Sequence, residues 1–177
     1  MRTGRPDAAC RPVLVVTGAA AAGKSTLGAA LAADARLLVL DGDVLAGGAA
    51  AVADGARDYD GFWRYLLAIA EEVHRNALVP VFPCICLPDQ VLGAGPRGPV
   101  HFLALVSNAD TVRGRVGRRL DSKIELGRHE AFEEALRGCS VESPHTLEFL
   151  DTARQQPAET VRAGREWVDA VLGPDGH

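Results

Sequence analysis

The residues best suited to chemistry form a short stretch rich in glycine and alanine, GAAAAGKST, from Gly18 to Thr26. Gly18, Gly23, Lys24 and Ser25 occupy the four fixed positions of the pattern G-x-x-x-x-G-K-[ST]. In such a loop, backbone N–H groups and the first turn of the following helix bind phosphate oxygens. A lysine at the position of Lys24 reaches the β- and γ-phosphates, and a hydroxyl at Ser25 ligates Mg²⁺. The pattern therefore predicts a nucleotide-binding loop.

The flanks of this loop favour the same interpretation over a coincidental alanine- and glycine-rich turn. An aliphatic run, VLVV, precedes the loop, and the helix-forming sequence LGAALAA follows it. Four alanines between the glycines limit the positive-φ geometry available inside the loop. The predicted nucleotide-binding residues are Gly18, Ala19, Ala20, Ala21, Ala22, Gly23, Lys24, Ser25 and Thr26, with Arg115 and Arg119.

Two carboxylates, Asp41 and Asp43, follow the next apolar run of the chain, residues 37–40. Ligands of open α/β sheets bind beyond the carboxyl ends of the strands, so both acids are expected to face the phosphate loop. One would hold the metal or its water, and the other would accept a proton from an attacking hydroxyl. The alternative is an ordinary turn, because aspartate and glycine are common turn residues.

An arginine-rich segment, TVRGRVGRRL, follows the fourth apolar run. Arg115 lies three residues before Arg118 and four before Arg119, so one helix face presents two or three guanidinium groups. Such a face can neutralise the charge that develops on a transferred phosphoryl group, and it can move as a lid. The alternative is a solvated basic face.

Four of the chain's nine aromatic residues fall within seven positions, from Tyr59 to Tyr65. A planar acceptor such as a nucleobase could stack there, with charged neighbours supplying polarity. The alternative is that Phe62 and Trp63 belong to the core. The predicted substrate-binding residues are Asp41, Asp43, Arg57, Tyr59, Phe62 and Trp63.

Alternating strands and helices must position these side chains. Apolar runs predict strands at 13–16, 37–40, 77–87, 101–106 and 146–150. Helical spacing and capping residues predict helices at 24–33, 59–76, 130–136 and 157–172, and a further helix capped by Asn108 or Asp110. Residues 47–55 are expected to be flexible, and Pro80 and Pro83 predict irregular ends for the third strand. This alternation is typical of a parallel sheet with helices on both faces.

Composition restricts the class of protein further. The chain has 177 residues, 47% of them hydrophobic, which suits one domain spanning 1–177. A net charge of −4 argues against nucleic acid as a partner. No apolar run reaches the roughly 18 residues of a membrane span, and the amino terminus lacks a signal-peptide core. We expect a cytoplasmic monomer or homodimer with reduced cysteines and a flexible tail over 1–12.

These motifs, in this order, resemble the small P-loop kinases of the nucleoside-monophosphate-kinase superfamily. Shikimate, gluconate and adenylylsulfate kinases, chloramphenicol phosphotransferase and small bacterial nucleoside-kinase-like ATPases are the nearest members. The resemblance implies a three-layer α/β P-loop fold, with a five-stranded parallel sheet in the order 2-3-1-4-5 and an arginine-bearing lid at about 108–130. It also implies ATP and Mg²⁺ as cofactors.

By position, Asp43 resembles the family's general base or hydroxyl anchor, and Asp41 the acid near Mg²⁺, which Ser25 also ligates. Arg115 and Arg118 resemble lid arginines that grip phosphates, and with Lys24 and Asp43 they complete the predicted catalytic set. The third strand carries no clear terminal acid, so a second Mg²⁺ carboxylate is not implied.

The residues and the resemblance together predict a phosphotransferase that moves the γ-phosphate of ATP to a hydroxyl of a small molecule. The aromatic cluster favours a nucleoside or an aromatic, antibiotic-like acceptor. The alternative is a nucleotide-binding ATPase switch or regulatory module without small-molecule kinase activity. The chain lacks the base-recognition motif N-K-x-D of GTPases, and a switch would leave Asp41 and Asp43 without a role.

Overall fold

A computed structural model describes residues 11–50, 59–116 and 126–173. Outside these ranges lie residues 1–10 of the predicted tail over 1–12, part of the 47–55 segment, Arg57, and the lid residues 117–125 with Arg118 and Arg119. The strands are β1 (Val13–Gly18), β2 (Leu37–Val39), β3 (Val79–Pro83), β4 (Val100–Val106) and β5 (Thr146–Asp151). The helices are α1 (Lys24–Leu31), α2 (Gly42–Ala50), α3 (Tyr59–Arg75), α4 (Pro88–Leu92), α5 (Ala109–Val116), α6 (Leu126–Arg137) and α7 (Pro157–Leu172). None of the helices in these ranges is long and apolar enough to cross a membrane.

The strands form one parallel sheet in the order β2-β3-β1-β4-β5. In the centre, Val15 of β1 lies opposite Phe82 of β3 and Phe102 of β4. Every residue of β1 is buried, as expected for a strand covered by helices on both faces. The predicted fold and strand order are confirmed.

The two faces of the sheet bury separate hydrophobic clusters, because successive side chains of a strand point to opposite sides. Leu14 and Val16 pack toward α1 and α7, where Trp167 is buried. Val13 and Val15 pack toward the other face, which is covered by α3. These layers hold the carboxyl ends of β1, β3 and β4 side by side, where the candidate site lies.

Pro80 lies in the central strand β3, where another residue satisfies the carbonyl that its missing N–H would have bound. Cys84 N donates to Val16 O across 3.1 Å. The two-residue period of a parallel ladder would therefore pair a donor at position 80 with the carbonyl of Pro12. That carbonyl instead accepts a hydrogen bond of 3.0 Å from His74 Nε2. A side chain thus replaces the bond that proline cannot make, and β3 is shorter than the predicted 77–87.

Helix α2 begins where a turn followed by a flexible segment was expected. Asp41 caps it, since its Oδ1 accepts hydrogen bonds from the backbone N–H groups of Asp43 (3.0 Å) and Val44 (3.1 Å). Aspartate is a strongly preferred cap because its oxygen satisfies donors of the first turn. The prediction of a flexible segment was therefore wrong up to Ala50, where α2 ends.

Candidate active site

The predicted phosphate loop connects the end of β1 to the start of α1. Gly18 has φ of +150°, and a Cβ atom placed there would lie 2.4 Å from the carbonyl oxygen of Leu105 on β4. Gly23, with φ of +114°, directly precedes α1. Both fixed glycines are therefore required by the backbone, one by close approach to β4 and both by positive φ.

Ala21 also adopts a left-handed conformation, with φ of +61°. The run of alanines therefore does not prevent positive φ inside the loop. For an alanine this conformation costs roughly 1–2 kcal/mol relative to the right-handed region. Surrounding contacts hold it: Arg115 of α5 donates to the Ala21 carbonyl across 3.2 Å.

Lys24 lies at the base of the loop with only 7% of its side chain exposed. Its ammonium group donates to the carbonyls of Gly18 (2.8 Å) and Ala19 (3.1 Å). Burial lowers the pKa of Lys24, and the negative charge of Asp43 acts in the opposite direction. The amine is thus a desolvated cation held at the base of the loop, and a low-dielectric setting strengthens its attraction for phosphate.

Asp43, in the first turn of α2, contacts the segment after β3 and lies close to Lys24 of α1. Its Oδ1 accepts a hydrogen bond of 3.0 Å from the backbone N–H of Ile85, just beyond β3. Its Oδ2 lies 4.0 Å from Lys24 Nζ, and about half of the side chain is exposed. Asp41, by contrast, uses Oδ1 to cap α2. Of the two acids, Asp43 is therefore the one that lies beside Lys24, the predicted phosphate-binding lysine.

The oxygen donors at the loop suit a magnesium ion. Ser25 is exposed in the first turn of α1, and Asp41 directly precedes α2, which it caps. Within the described ranges, no group of three or more His, Cys, Asp or Glu residues could hold a metal ion alone. Magnesium is usually bound by one or two protein oxygens together with substrate phosphates. The donor set fits an ion that binds with a nucleotide.

Arg115 connects α5 to the loop and to the segment after β5. Besides Ala21, it donates to the backbone carbonyl of Thr152 across 2.6 Å. Thr152 is buried, and its hydroxyl donates to Ala22 O across 3.1 Å. The predicted lid arginine thus lies against the phosphate loop, and Asn108, whose Oδ1 accepts from Thr111 N across 2.8 Å, is the predicted cap of its helix.

The structure corrects the predicted substrate contact of Trp63. Its ring is 1% exposed and packs edge-on against Phe82, with the ring centroids 6.2 Å apart. Phe62 packs against Trp63 and is only partly buried. Tyr59, in the first turn of α3, is exposed. Trp63 therefore belongs to the core, while Tyr59 and Phe62 retain a surface that a ligand can touch.

Sequence reasoning missed the contact that fixes the segment after β3. Thr17 is fully buried next to the loop, and its hydroxyl donates to the Cys86 carbonyl across 2.5 Å. The same oxygen accepts from Cys86 N across 3.4 Å. Thr17 is the one polar residue of VLVVTG, but a separation of 69 residues hides its partner.

The sequence also gave no sign of a buried polar cluster between β4 and α6. Glu133 Oε1 accepts from the backbone N–H of Ser107, just past β4, across 2.9 Å. Four of the cluster's buried atoms have no hydrogen-bond partner: Ser107 Oγ, both ring nitrogens of His129 and Glu133 Oε2. Burial lowers the pKa of His129 and raises that of Glu133, so both groups shift toward their neutral forms.

Solved structures of small kinases have the same fold. A sugar kinase from Janibacter sp., in an unliganded structure, matches with a TM-score of 0.70 at 21% identity, covering 94% of this chain and 98% of that chain. An APS kinase from Mycobacterium tuberculosis, in complex with AMPPNP and APS, matches with a TM-score of 0.65 at 18% identity, covering 93% of this chain and 99% of that chain. A gluconokinase from Sinorhizobium meliloti matches with a TM-score of 0.58 at 23% identity, covering 94% of this chain and 98% of that chain. No family model and no curated protein matches the chain.

The chain therefore has the three-layer P-loop fold of the small kinases, as the resemblance of its motifs predicted. These structures are named for three different substrates, a sugar, APS and gluconate. The shared fold accordingly leaves the acceptor of this chain to be argued from its own residues.

Proposed function

We propose that this protein is an ATP-dependent phosphotransferase that moves the γ-phosphate to a hydroxyl group of a small molecule. The observation that carries the proposal is the pairing of Lys24 with Asp43, whose Nζ and Oδ2 atoms are 4.0 Å apart. A phosphate-binding cation and a carboxylate at one point supply the donor side and the acceptor side of phosphoryl transfer. The kinases that share the fold support the same reaction class.

In the proposed reaction, the chain positions the reactants and compensates charge. Lys24 holds the β- and γ-phosphates, and the N–H groups of the loop and of α1 cradle their oxygens. Asp43 accepts the proton of the acceptor hydroxyl, whose oxygen attacks the γ-phosphorus in line with the departing ADP oxygen. The bond from Ile85 N to Asp43 Oδ1 orients the carboxylate so that Oδ2 remains directed toward the site.

Two further groups complete the donor side. Ser25 and Asp41 would hold Mg²⁺, which supplies charge neutralisation at the phosphate oxygens when bound. Arg115 would exchange loop carbonyls for phosphate oxygens as the charge on the transferred group develops. Arg118 and Arg119 lie outside the described residues, so their role in the lid stays a prediction.

The acceptor is proposed to have an apolar or aromatic face beside its hydroxyl. Val44, the neighbour of Asp43, is 71% exposed, and Ile85, which binds Asp43, is 42% exposed. Tyr59 adds an exposed aromatic ring at the start of α3. Exposed apolar groups next to a polar anchor are typical of small-molecule sites, and a nucleoside or an aromatic alcohol fits this combination.

Acceptor-dependent ATP turnover tests the assignment, using a panel of nucleosides, sugars and aromatic alcohols. Asp43→Asn keeps an oxygen for Ile85 N but loses the base, so turnover should fall roughly 100-fold or more. Asp41→Asn keeps the cap of α2, because asparagine caps equally well, and should weaken Mg²⁺ dependence instead. Asp169→Asn, on the exposed side of α7, is the matched control. Wild-type turnover in Asp43→Asn would exclude it as the base.

Lys24→Ala tests the phosphate loop independently of the acceptor. The variant should lose turnover and bind ATP weakly, as measured by calorimetry. Unchanged tight binding of ATP would contradict the loop assignment itself. Hydrolysis of ATP that no acceptor accelerates, in the wild-type protein, would favour the regulatory ATPase over the kinase.

A further inference from the structure

A cavity lies at the opposite end of the sheet from the phosphate loop. It has a volume of about 370 Å³ and is bounded by the start of β1, by α3 from Arg64 to Arg75 and by residues 94–98. Val13, which lines it, is the first residue of β1, whereas the phosphate loop follows Gly18, the last. Five residues of strand place the two sites roughly 17 Å apart. The cavity falls within the size range of small-molecule sites.

The rim of this cavity is strongly cationic in a protein whose net charge is −4. Four arginines line it, Arg11, Arg64, Arg75 and Arg97, against a single acid, Glu71. Such a concentration of positive charge in a concave site attracts anions.

The arginines differ in whether a nearby carboxylate already neutralises their charge. Arg97 is paired with Glu71 at 3.0 Å, and Arg75 is paired with Glu72. The Nε of Arg64 donates to the backbone carbonyl of Asp60 across 3.3 Å, which orients the guanidinium without opposing its charge. Of these three arginines, Arg64 is therefore the one best placed to bind an anion.

His74 gives the cavity a fixed, neutral wall. Its Nε2 bonds to the Pro12 carbonyl across 3.0 Å. A carbonyl can only accept, so Nε2 carries the proton and Nδ1 is an acceptor in the neutral ring. Burial lowers the pKa of His74, and the charge of Arg11 lowers it further. The same bond that replaces the missing ladder donor of Pro80 thus fixes the ring.

The floor of the cavity is apolar. Val13 and Ala70 are buried there, and Leu67 and Ala94 pack against the same cluster. An arginine rim over an apolar floor matches a ligand with an anionic group at one end and an apolar body at the other. Guanidinium groups match the geometry of phosphate oxygens and bind them in a bidentate manner.

We propose that this cavity is a second ligand site, which binds a small organic phosphate ester independently of the phosphate loop. The phosphate lies on the arginine rim, with Arg64 as its main contact. The organic part lies on the floor formed by Val13, Leu67 and Ala70. This inference does not depend on the proposed kinase activity.

Calorimetry with phenyl phosphate tests the proposal in the full chain carrying Lys24→Ala, which disables phosphate binding at the loop. One saturable site is expected, with inorganic phosphate and phenol each binding at least tenfold more weakly, because each supplies only half of the ligand. Adding Arg64→Ala should weaken phenyl phosphate at least tenfold. Arg97→Ala, at a highly exposed residue, should weaken it as well. Arg162→Ala, which removes an exposed arginine of α7 paired with Glu166, is the matched control and should leave binding unchanged.

Three results would overturn the proposal. These are absence of saturable binding, binding that Arg64→Ala and Arg97→Ala leave unchanged, and equal weakening by Arg162→Ala. Binding that occurs in the wild-type protein and disappears with Lys24→Ala alone would assign the ligand to the phosphate loop and also refute a second site. Failure of the kinase assays would leave these measurements unaffected, so the two proposals fail separately.

Discussion

Replacing Thr17 by valine isolates the hydroxyl that links the phosphate loop to the segment after β3. Valine keeps the branched shape of threonine, and the site is fully buried, so packing changes little. What is lost is the 2.5 Å bond to the Cys86 carbonyl and the 3.4 Å bond from its N–H. The threonine-to-valine exchange therefore acts through hydrogen bonding.

The expected size follows from the polar groups that are left behind. A buried carbonyl that loses its partner costs about 1–3 kcal/mol, and the longer bond from Cys86 N contributes at the low end of that scale. We expect a loss of about 2 kcal/mol in the free energy of unfolding. For a chain of this length each kcal/mol shifts Tm by about 2–4 °C, so Tm should fall by roughly 4–8 °C.

Urea and thermal unfolding measure this loss, and turnover measures its functional consequence. Because Ile85, the neighbour of Cys86, holds Asp43, displacement of the segment should lower acceptor-dependent turnover by about tenfold or more, since small misplacements of reacting groups are costly. Thr17→Ser keeps the hydroxyl and serves as the control. If Thr17→Val unfolded at the wild-type Tm while Thr17→Ser did not, the hydrogen-bond argument would be refuted.

Two other substitutions test strain and burial. Ala21→Gly removes the strain of a positive φ, which costs alanine about 1–2 kcal/mol. This gain exceeds the roughly 0.5–1 kcal/mol that glycine costs through the greater freedom of the unfolded chain. The variant should therefore be more stable by up to about 1 kcal/mol in urea unfolding. Ala20, in the same loop, has no positive φ, so Ala20→Gly should destabilise the protein. A stability change of the same sign in both variants would contradict the strain at Ala21. His129→Leu removes two buried nitrogens that make no hydrogen bond and should stabilise the protein by about 1–3 kcal/mol at pH 7.5. Because the pKa of His129 is lowered in the folded state, the unfolded chain takes up its proton first below about pH 6.5. The wild type should therefore lose up to about 1.4 kcal/mol per pH unit relative to His129→Leu, whereas a constant difference from pH 7.5 to 5.5 would refute the shift.

The phosphate loop was predictable because its chemistry is local. A strand, two glycines, a lysine and a hydroxyl within a few residues define the backbone path, and Gly18 and Gly23 have the required conformations. The nucleotide as its ligand stays a prediction. The sheet order followed from a resemblance to known kinases. Neither conclusion needed knowledge of distant contacts.

Long-range pairing limits what sequence can show about the rest of the site. On α3, two stripes one residue apart satisfy the same helical spacing. Phe62 and Ile69, which are only partly buried, lie on one stripe, and the buried Trp63 and Ala70 lie on the other. Only packing against Phe82 of β3 decides between them. The cluster around His129 likewise depends on β4 and α6 meeting in space.

The loop carbonyls that bind the ammonium group of Lys24 compete with any anion for that group. An anion that takes the ammonium group must replace bonds of 2.8 and 3.1 Å within a buried pocket. A chloride ion or a lone carboxylate offers too little in exchange, whereas a polyphosphate brings several oxygens and also meets the N–H groups of α1. In the proposed nucleotide site, these bonds would therefore favour a polyphosphate over simple anions.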